Sequence, residues 1–319
     1  MWMQTPLVVE VTRGSHIESI HEVDVAVVGA DGKLEQGWGD SHRYVLPRSA
    51  IKPIQAMPLV ESGAADAARL TPKELALACS SHNGEAEHVA LVGSWLDRID
   101  AAERFLECGA HAPLYRGAAD DLLRSGVEFS SIHNNCSGKH TGFLTLCAHQ
   151  QVDPTGYISP GHRLQTEHIT PAIEDLCGLS LTDQTPAVDG CGIPVWSVSL
   201  DRLAAGWARL SRRGAGQRLI EAMIAEPFLV AGTDQACTQI MTAGAGSVAV
   251  KTGAEGVYCA VVPGQGLAVA LKVRDGNGRA SNVAIEWLLD KMGAVDTTGP
   301  TILRNLVGTE IGEIRVRRA

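Results

Sequence analysis

The sequence predicts a mixed α/β (α+β) fold in which strands from both chain ends form one antiparallel sheet, with a helical lobe between them. Two observations predict it: short apolar segments separated by tight turns occur at both ends, and helix start signals occupy the middle. The 319 residues are enough for a substantial core. We expect residues 1–319 to form a single unit, with a sheet lobe of about 1–48 and 245–319 and a helical lobe of about 49–244.

The composition excludes several classes of protein. A formal net charge of -9 argues against general nucleic-acid binding, which requires a basic surface. No apolar segment is long enough to span a bilayer, and the first residues lack the basic and apolar regions of a secretion signal. We therefore expect a cytoplasmic protein with no membrane partner. Its 8 cysteines form no C-x-x-C pair, and Cys108, Cys147, Cys177 and Cys259 are interpreted as small buried side chains.

The strands follow from apolar runs and their turns. Asp31 and Gly32 form a hairpin dipeptide, which joins two apolar segments into an antiparallel pair. The predicted strands near the start cover residues 7–11, 23–28 and 34–38, and those near the end cover 247–251, 256–262 and 267–273, with a terminal strand or tail from 309.

The helices follow from start signals and apolar spacing. Thr71 before Pro72 is one such signal, because threonine caps the first turn and proline fits the first helical position. Apolar residues on one face support the others. The predicted helices begin at residue 49 and then cover 72–79, 85–99, 119–125, 138–150, 161–176, 195–210, 215–225 and 279–292.

Ser49 and Lys52 form an S-x-x-K tetrad at the predicted start of a helix. Residues three apart on a helix share a face, so the hydroxyl and the amine point into the same space. A serine hydroxyl becomes a nucleophile when a base takes its proton, and a lysine with a lowered pKa can be that base. A single S-x-x-K also occurs by chance on surface helices, where both side chains are solvated.

Two later motifs make a chance occurrence of the S-x-x-K tetrad an insufficient explanation. Ser81 and Asn83 belong to an S-x-N motif, and Lys251-Thr252-Gly253 is a K-T-G motif after an apolar run. The order S-x-x-K, S-x-N, K-T-G is typical of serine β-lactamases and penicillin-binding proteins, so we expect a serine β-lactamase-like fold. Ser81 and Lys251 are then candidates for a second hydroxyl–amine pair. The alternative is a helix cap and a surface lysine.

Two polar segments that contain cysteine are candidates for a metal site. Thiolate, carboxylate and nitrogen ligands together suit a tetrahedral zinc ion. The candidate ligands are Cys136, Lys139, His140, Asp189 and Cys191. Their spacing matches no standard zinc motif, so the alternative is two loop cysteines beside a helix N-terminus.

Five longer segments resemble the rhizobial-type L-asparaginases, also called the asparaginase II family. They are RSAIKP, CSSHNGE, HNNCSGKHTGF, VDGCGIP and VKTGAEG, and the resemblance extends from about Val8 to about Leu289. That family is similar in fold to the serine β-lactamases, and it hydrolyses L-asparagine to L-aspartate and ammonia. The resemblance therefore implies an L-asparaginase that forms a homodimer.

The resemblance also implies a role for each matching residue. Catalytic roles are implied for two serine–lysine tandems, Ser49 with Lys52 and Ser81 with Lys251. Zinc ligands are implied at Cys136, Lys139 and Cys191, with the ion next to the substrate site. Substrate contacts are implied at Arg48, Asn83, His140, Asp189 and Cys237.

We expect a two-step hydrolysis in which a serine, deprotonated by its lysine, attacks the side-chain amide of L-asparagine and forms an acyl-enzyme. The residues do not decide which serine attacks. We favour Ser49, because unpaired N–H groups at a helix start stabilise an oxyanion. Arg43, Arg48 and Lys139 are candidates for binding the α-carboxylate, but their spacing does not select asparagine over glutamine. The alternatives are a β-lactamase-like hydrolase of another amide or ester, and a non-catalytic binding protein stabilised by zinc.

Overall fold

The computed structural model describes residues 5–296 and 299–317, and it divides into two compact units. The sheet unit comprises Met1–Ala50, Ser197–Arg209 and Ile240–Ala319, and the helical unit comprises Ile51–Trp196 and Leu210–Gln239. These bounds lie near the predicted lobes, except that 197–209 joins the sheet unit. That the whole chain folds as a single unit stays a prediction.

The sheet unit contains, among the described residues, an eight-stranded sheet in which every pair of neighbours is antiparallel. Its strands are β1 (Leu7–Arg13), β2 (His16–Val28), β3 (Leu34–Trp38), β8 (Ala249–Thr252), β9 (Val257–Val262), β10 (Leu267–Val273), β11 (Thr301–Arg304) and β12 (Glu310–Val316). The order is β11-β12-β1-β2-β10-β9-β8, and β3 also pairs with β2. The prediction of an antiparallel sheet built from both chain ends is therefore confirmed.

Strand β2 is longer than predicted and joins the two ends of the chain within the sheet. Its first half pairs with β1 and its second half pairs with β10, with Val25 opposite Leu271. The side chains of 23–28 are buried, whereas 16–20 is mostly exposed. The polar sequence of that exposed half explains why apolar patterning predicted a strand only from residue 23.

One long helix, α13 (Gly278–Lys291), packs on this sheet against β1, β9, β10 and β12. Asn277 caps it, because its side-chain oxygen accepts a hydrogen bond from Ala280 N–H at 3.1 Å. Its apolar residues Ile285 and Leu288 are buried, as the period of 3.6 predicts. The sheet unit also contains α9 (Leu200–Leu210) and a two-stranded pair of β4 (Tyr44–Val45) with β7 (Val198–Ser199).

The helical unit is built from short helices packed around one buried helix. Its α-helices are α1 (Lys52–Gln55), α2 (Met57–Glu61), α3 (Ala64–Ala67), α4 (Pro72–Ala78), α5 (Ala86–Arg98), α6 (Arg116–Ser125), α7 (Ser137–Gln150), α8 (Thr170–Cys177), α10 (Gly214–Ala225), α11 (Pro227–Val230) and the start of α12 (Ala236–Ala243), with one small pair of β5 (Ala187–Val188) and β6 (Pro194–Val195). The Thr71 start of α4 is confirmed, since Glu74 accepts the Thr71 backbone N–H at 2.9 Å.

Helix α7 lies at the centre of this unit, with the side chains of 137–147 buried. It packs against α2, α3, α4 and α5. Gly138 allows the approach to α4, because a Cβ at this position would clash with the Leu77 carbonyl oxygen. The first turn of α7, which carries Lys139 and His140, is therefore held against α4 and the loop that follows it.

Three predicted helices differ from the structure. Instead of starting at Ser49, the chain forms a 3₁₀ turn over Arg48–Ile51 before α1. The predicted helix 161–176 begins at residue 163 and contains a π-helical turn over Gln165–Ile169 before it continues into α8. The predicted helix 195–210 begins only at Leu200, because Pro194–Val195 and Val198–Ser199 form short strands. In the described part of the chain, no helix has the length and apolar character needed to cross a membrane.

Candidate active site

Ser49 lies in a strained turn of the sheet unit. Arg48, the residue before it, has a φ of 51°, a left-handed conformation that a non-glycine residue adopts at a cost of about 1 kcal/mol. The turn is fixed on both sides, since Ala50 N–H donates to Pro47 O at 3.0 Å and the Trp207 indole donates to Ala50 O at 3.1 Å. The Ala50 N–H is thus paired, and the prediction that backbone N–H groups here are unpaired is wrong for this residue. Ser49 itself is half-buried.

The K-T-G motif lies at the end of β8, beside this turn. Lys251 pairs in register with Cys259 on β9, and its side chain is 1% exposed. A Cβ added to Gly253 would lie 2.5 Å from Pro47 O and 3.3 Å from Ala50 Cβ. The absence of a side chain at Gly253 is therefore what lets the Ser49 turn approach the strand end. The sheet unit brings these two sequence motifs together.

Within the helical unit, Lys52 is paired with Ser81. Lys52 is 1% exposed, and its Nζ donates to the Ser80 carbonyl and lies 2.8 Å from Ser81 Oγ. This pairing was not predicted, because the resemblance assigned Lys52 to Ser49 and Ser81 to Lys251. The members of each of those tandems belong to different units, and the tandems stay predictions.

His82 holds the loop that carries Ser81. Gly84 N–H donates to His82 Nδ1 at 3.1 Å, and His82 Nε2 lies 2.9 Å from Ser137 Oγ, which itself donates to Ile132 O. The ring is therefore neutral, with its proton on Nε2. Burial lowers the pKa of His82 well below its ordinary value, and nearby charges, including Lys52, lower it further. His82 was not among the predicted site residues, although it lies inside the S-x-N motif.

Asn83, predicted to contact the substrate, has its amide group engaged with the protein. Asn83 Nδ2 donates to Thr233 O at 3.0 Å, while Glu85 accepts the Thr233 N–H at 2.8 Å and the Thr233 hydroxyl at 2.7 Å. These bonds fix the loop before α12. Cys237, on the first turn of α12, is 1% exposed. The roles of Asn83 and Cys237 toward a substrate stay predictions.

The three predicted zinc ligands are brought together in the helical unit. Lys139 Nζ donates to Cys191 Sγ at 3.0 Å, and the thiols of Cys136 and Cys191 hydrogen-bond to each other. Lys52 also interacts with Cys136. All three predicted ligands are buried. Asp189 is close enough for its charge to act on Lys139.

The pKa values of the two thiols in this cluster are shifted in opposite directions. The hydrogen bond from Cys191 lowers the pKa of Cys136 well below its ordinary value, and the charges of Lys52 and Lys139 outweigh the opposing effect of burial. The same hydrogen bond, together with burial, raises the pKa of Cys191. Burial lowers the pKa of Lys139, but the two cysteines more than reverse that effect and the net shift is upward.

The donor set fits zinc only if lysine is one of the ligands. No group of three or more His, Cys, Asp or Glu side chains that could hold a metal ion occurs in residues 5–296 and 299–317. Two thiols and one amine in mutual contact supply soft sulfur ligands and a nitrogen, which suit zinc. A divalent cation bound there would favour the deprotonated thiols and the neutral amine.

His140 lies beside this cluster and is fully buried. Its Nδ1 is 2.6 Å from the Tyr157 hydroxyl, and its Nε2 has no hydrogen-bond partner among the described residues. Burial lowers the pKa of His140 well below its ordinary value, and the charges of Lys139 and Lys52 add to the effect. Tyr157 was not predicted as a site residue, because no sequence motif connects it to His140.

Arg43, a candidate for binding a carboxylate of the substrate, is instead paired with Asp24. The Asp24 carboxylate is fully buried and also accepts two hydrogen bonds from Arg274, at 2.9 and 2.7 Å. Burial raises the pKa of Asp24, but the hydrogen bonds and charges of the two arginines produce a net lowering. The Arg43 side chain therefore forms an ion pair within the sheet unit. Arg48 and Lys139 remain the candidates for binding a substrate carboxylate.

Comparisons with known proteins extend over nearly the whole chain. Residues 9–316 match the model of a family described as L-asparaginase II. A search of curated proteins finds no significant match. Among solved structures, the protein called Mglu, in its native form, is 15% identical with a TM-score of 0.47, and the alignment covers 89% of this chain and 69% of Mglu. A β-lactamase from Mycobacterium bovis is 13% identical with a TM-score of 0.43, over 86% of this chain and 95% of that one.

Proposed function

The chain belongs to the L-asparaginase II family, and from this premise we propose that it hydrolyses the side-chain amide of L-asparagine to L-aspartate and ammonia. The observation that carries the chemistry is the contact of 2.8 Å between Lys52 Nζ and Ser81 Oγ. The Lys52 side chain is 1% exposed, and the form of lysine that can take a proton from a serine hydroxyl is the neutral amine. A buried amine in contact with a serine hydroxyl can exchange a proton with it, so no histidine is needed as the base.

The reaction has two steps, and in each step the proton that the lysine removes is passed on to a leaving group. In the first, the neutral lysine amine takes the hydroxyl proton of serine while Oγ attacks the side-chain amide carbon. The resulting tetrahedral species expels ammonia, to which the lysine returns that proton. In the second, water attacks the acyl ester, and its proton passes through the same amine to the serine oxygen.

Ser49 stays our candidate for the attacking serine. It is half-buried and lies in the turn that follows the left-handed Arg48, beside the end of the K-T-G strand. The S-x-x-K spacing assigns Lys52 as its base. Ser81, on the same lysine, then provides a hydroxyl through which the proton reaches the leaving amine.

We propose that Cys136, Lys139 and Cys191 hold one zinc ion. The contact between Lys139 Nζ and Cys191 Sγ and the hydrogen bond between the two thiols support this set. Bound there, zinc supplies a fixed positive charge and Lewis acidity next to the substrate. The role of Asp189 would be to act on this cluster and on the substrate's ammonium group.

The remaining residues are proposed to bind the substrate. The Arg48 guanidinium can hold the α-carboxylate by paired hydrogen bonds, which a lysine cannot match. His140 is proposed to donate to a substrate oxygen, and Asn83 and Cys237 to line the site. A homodimer is proposed on the resemblance alone.

The test is ammonia release by the purified protein from L-asparagine and from L-glutamine, with nitrocefin as a β-lactam substrate. The proposal predicts turnover of asparagine well above the other two. Turnover of glutamine or nitrocefin alone would support the alternative hydrolase, and no turnover of any amide would support a non-catalytic binding protein. Ser49→Ala and Ser81→Ala, assayed together, decide which hydroxyl is indispensable.

A further inference from the structure

The Tyr157 hydroxyl connects the backbone of one loop to the ring of His140. Its oxygen lies 3.0 Å from Glu107 N and 2.6 Å from His140 Nδ1. Both contacts are buried within the helical unit, where Tyr157 and His140 are each 0% exposed. The two aromatic rings also pack edge to face, with centroids 5.4 Å apart.

These contacts determine where the proton of His140 lies. A backbone N–H can only donate, so the Tyr157 oxygen accepts from Glu107 N–H. The single phenolic hydrogen then needs an acceptor. Glu107 Oε2 has no partner among the described residues, and the acceptor that the structure supplies is His140 Nδ1. A ring that accepts at Nδ1 carries its proton on Nε2.

The position of Tyr157 is itself fixed by its own loop. Gln165 Nε2 donates to Tyr157 O at 2.9 Å, and the Glu107 carboxylate accepts the N–H of the preceding residue, Gly156, at 2.7 Å. The bonds between Glu107 and this loop thus run in both directions. Moving the Tyr157 hydroxyl away from His140 Nδ1 would therefore break several of these hydrogen bonds.

The other nitrogen of the ring is a buried donor without an acceptor. His140 Nε2 has no partner in the described part of the chain, and a buried N–H left in that state is costly unless a ligand or water uses it. His140 follows Lys139 in the first turn of α7, and the charges of Lys139 and Lys52 both act on it. An acceptor oxygen with negative charge suits this position.

We propose that Tyr157 is a positioning residue that holds His140 in the Nε2–H tautomer, so that His140 donates a hydrogen bond to an oxygen of the amino-acid substrate. This inference rests on the proposed function for the identity of the substrate. The tautomer itself does not depend on that function. With the proton on Nδ1 instead, Nε2 would present a lone pair and repel a carbonyl or carboxylate oxygen.

The first experiment is ¹⁵N NMR of the histidine rings in the full chain, with His140 assigned by comparison with a His140→Gln sample. We expect the Nε2–H pattern for His140 in the wild type and a shift toward the Nδ1–H pattern in Tyr157→Phe. An Nδ1–H pattern or a doubly protonated ring in the wild type overturns the proposal. This result is obtained without turnover, so it is independent of whether asparagine is the substrate.

The second experiment is a double-mutant cycle on ammonia release. Loss of a hydrogen bond to a charged oxygen predicts a fall in kcat/KM of roughly 10- to 100-fold for Tyr157→Phe. The His140→Gln side chain carries its own amide donor, so Tyr157→Phe should have little further effect in that background. Equal effects of Tyr157→Phe in both backgrounds would show a merely structural role and overturn the proposal.

The matched control is Tyr115→Phe, in the same unit. The Tyr115 hydroxyl makes no hydrogen bond among the described residues, although its backbone N–H donates to Asn83 O at 3.1 Å. We expect its kcat/KM to equal that of the wild type. Far-UV circular dichroism of every variant, with the thermal midpoint, separates loss of the donor from loss of the fold, and the wild-type NMR result decides the proposal if Tyr157→Phe does not fold.

Discussion

Replacing Ser81 by alanine tests the proton-transfer pair, and the chain offers its own control in the neighbouring Ser80. The two serines are adjacent in the chain, but the hydrogen bonding of their hydroxyl groups differs. Ser81 Oγ is 2.8 Å from Lys52 Nζ, whereas Ser80 Oγ is buried without a hydrogen-bond partner in residues 5–296 and 299–317. Only the backbone carbonyl of Ser80 contacts Lys52, and alanine keeps that carbonyl.

The expected magnitudes differ in both activity and stability. A positioned proton-transfer group contributes about 10²- to 10⁴-fold to the rate, so Ser81→Ala should lower kcat by that factor. Ser80→Ala removes an unsatisfied buried hydroxyl, which costs the folded state about 1–3 kcal/mol. A gain of about 1 kcal/mol corresponds to a rise of about 1.5 °C in Tm, at ~2.1 cal/mol/K per residue over 319 residues.

The assay is coupled ammonia release from L-asparagine at saturating substrate, together with a thermal unfolding scan of each variant. We predict that Ser80→Ala keeps wild-type kcat and a Tm at least equal to that of the wild type. Wild-type turnover by Ser81→Ala would refute the assignment of Ser81 to proton transfer. An equal loss in Ser80→Ala would show that the whole loop, and not the Ser81 hydroxyl, is what activity requires.

Three further predictions concern the turn, the metal and the sheet. Gly253→Ala places a Cβ 2.5 Å from a backbone oxygen of the Ser49 turn. The overpacking should cost about 1–3 kcal/mol, and the rate of ammonia release should fall at least 10-fold. The control Gly264→Ala, whose Cβ has no atom within 4 Å, should leave the rate unchanged. Zinc analysis by plasma mass spectrometry should give about one ion per chain, lost in Cys191→Ser but kept in the buried control Cys177→Ser. The pKa of Asp24 is lowered in the fold, so its contribution to stability is present above the unfolded pKa of about 3.9 and is lost as pH falls through the folded pKa. Asp24→Asn should therefore cost about 3–5 kcal/mol at pH 7, measured by urea unfolding, and should flatten the acid limb; a variant with an unchanged pH dependence would contradict this.

The sheet could be predicted because its strands are apolar and punctuated by turn residues. The hairpin dipeptide at Asp31-Gly32 and the runs 256–262 and 267–273 each lie where the structure has antiparallel pairs. The polar half of β2 could not be predicted, because a solvent-exposed strand carries no apolar pattern. Its pairing with β1 is a local hairpin, closed by the two-residue turn Gly14-Ser15 between the strands.

The residues at which helices start were harder to predict. The S-x-x-K motif indicates a helical face, yet the residues around Ser49 form a 3₁₀ turn with a left-handed residue at Arg48. Such a conformation is imposed by neighbours, including the Trp207 indole, which is far away in sequence. Local propensity does not contain this information.

For the candidate site, the resemblance named residues but not the contacts between them. Cys136, Lys139 and Cys191 were named from the resemblance, and the structure places them in contact. The hydrogen bond between Lys52 and Ser81 was not predicted. The order of the motifs selects candidate residues, but it does not indicate which lysine contacts which serine. Tyr157 was missed for the same reason, because its role depends on a fold contact with His140.

The most direct test of the central claim is peptide mass mapping of the enzyme after rapid acid quenching during turnover of L-asparagine. A serine–lysine acyl transfer predicts an aspartyl ester on the peptide that contains Ser49, which is absent in Ser49→Ala and yields the hydroxamate when hydroxylamine is added. Full turnover by Ser49→Ala, with no ester on any serine and no hydroxamate formed, would contradict it.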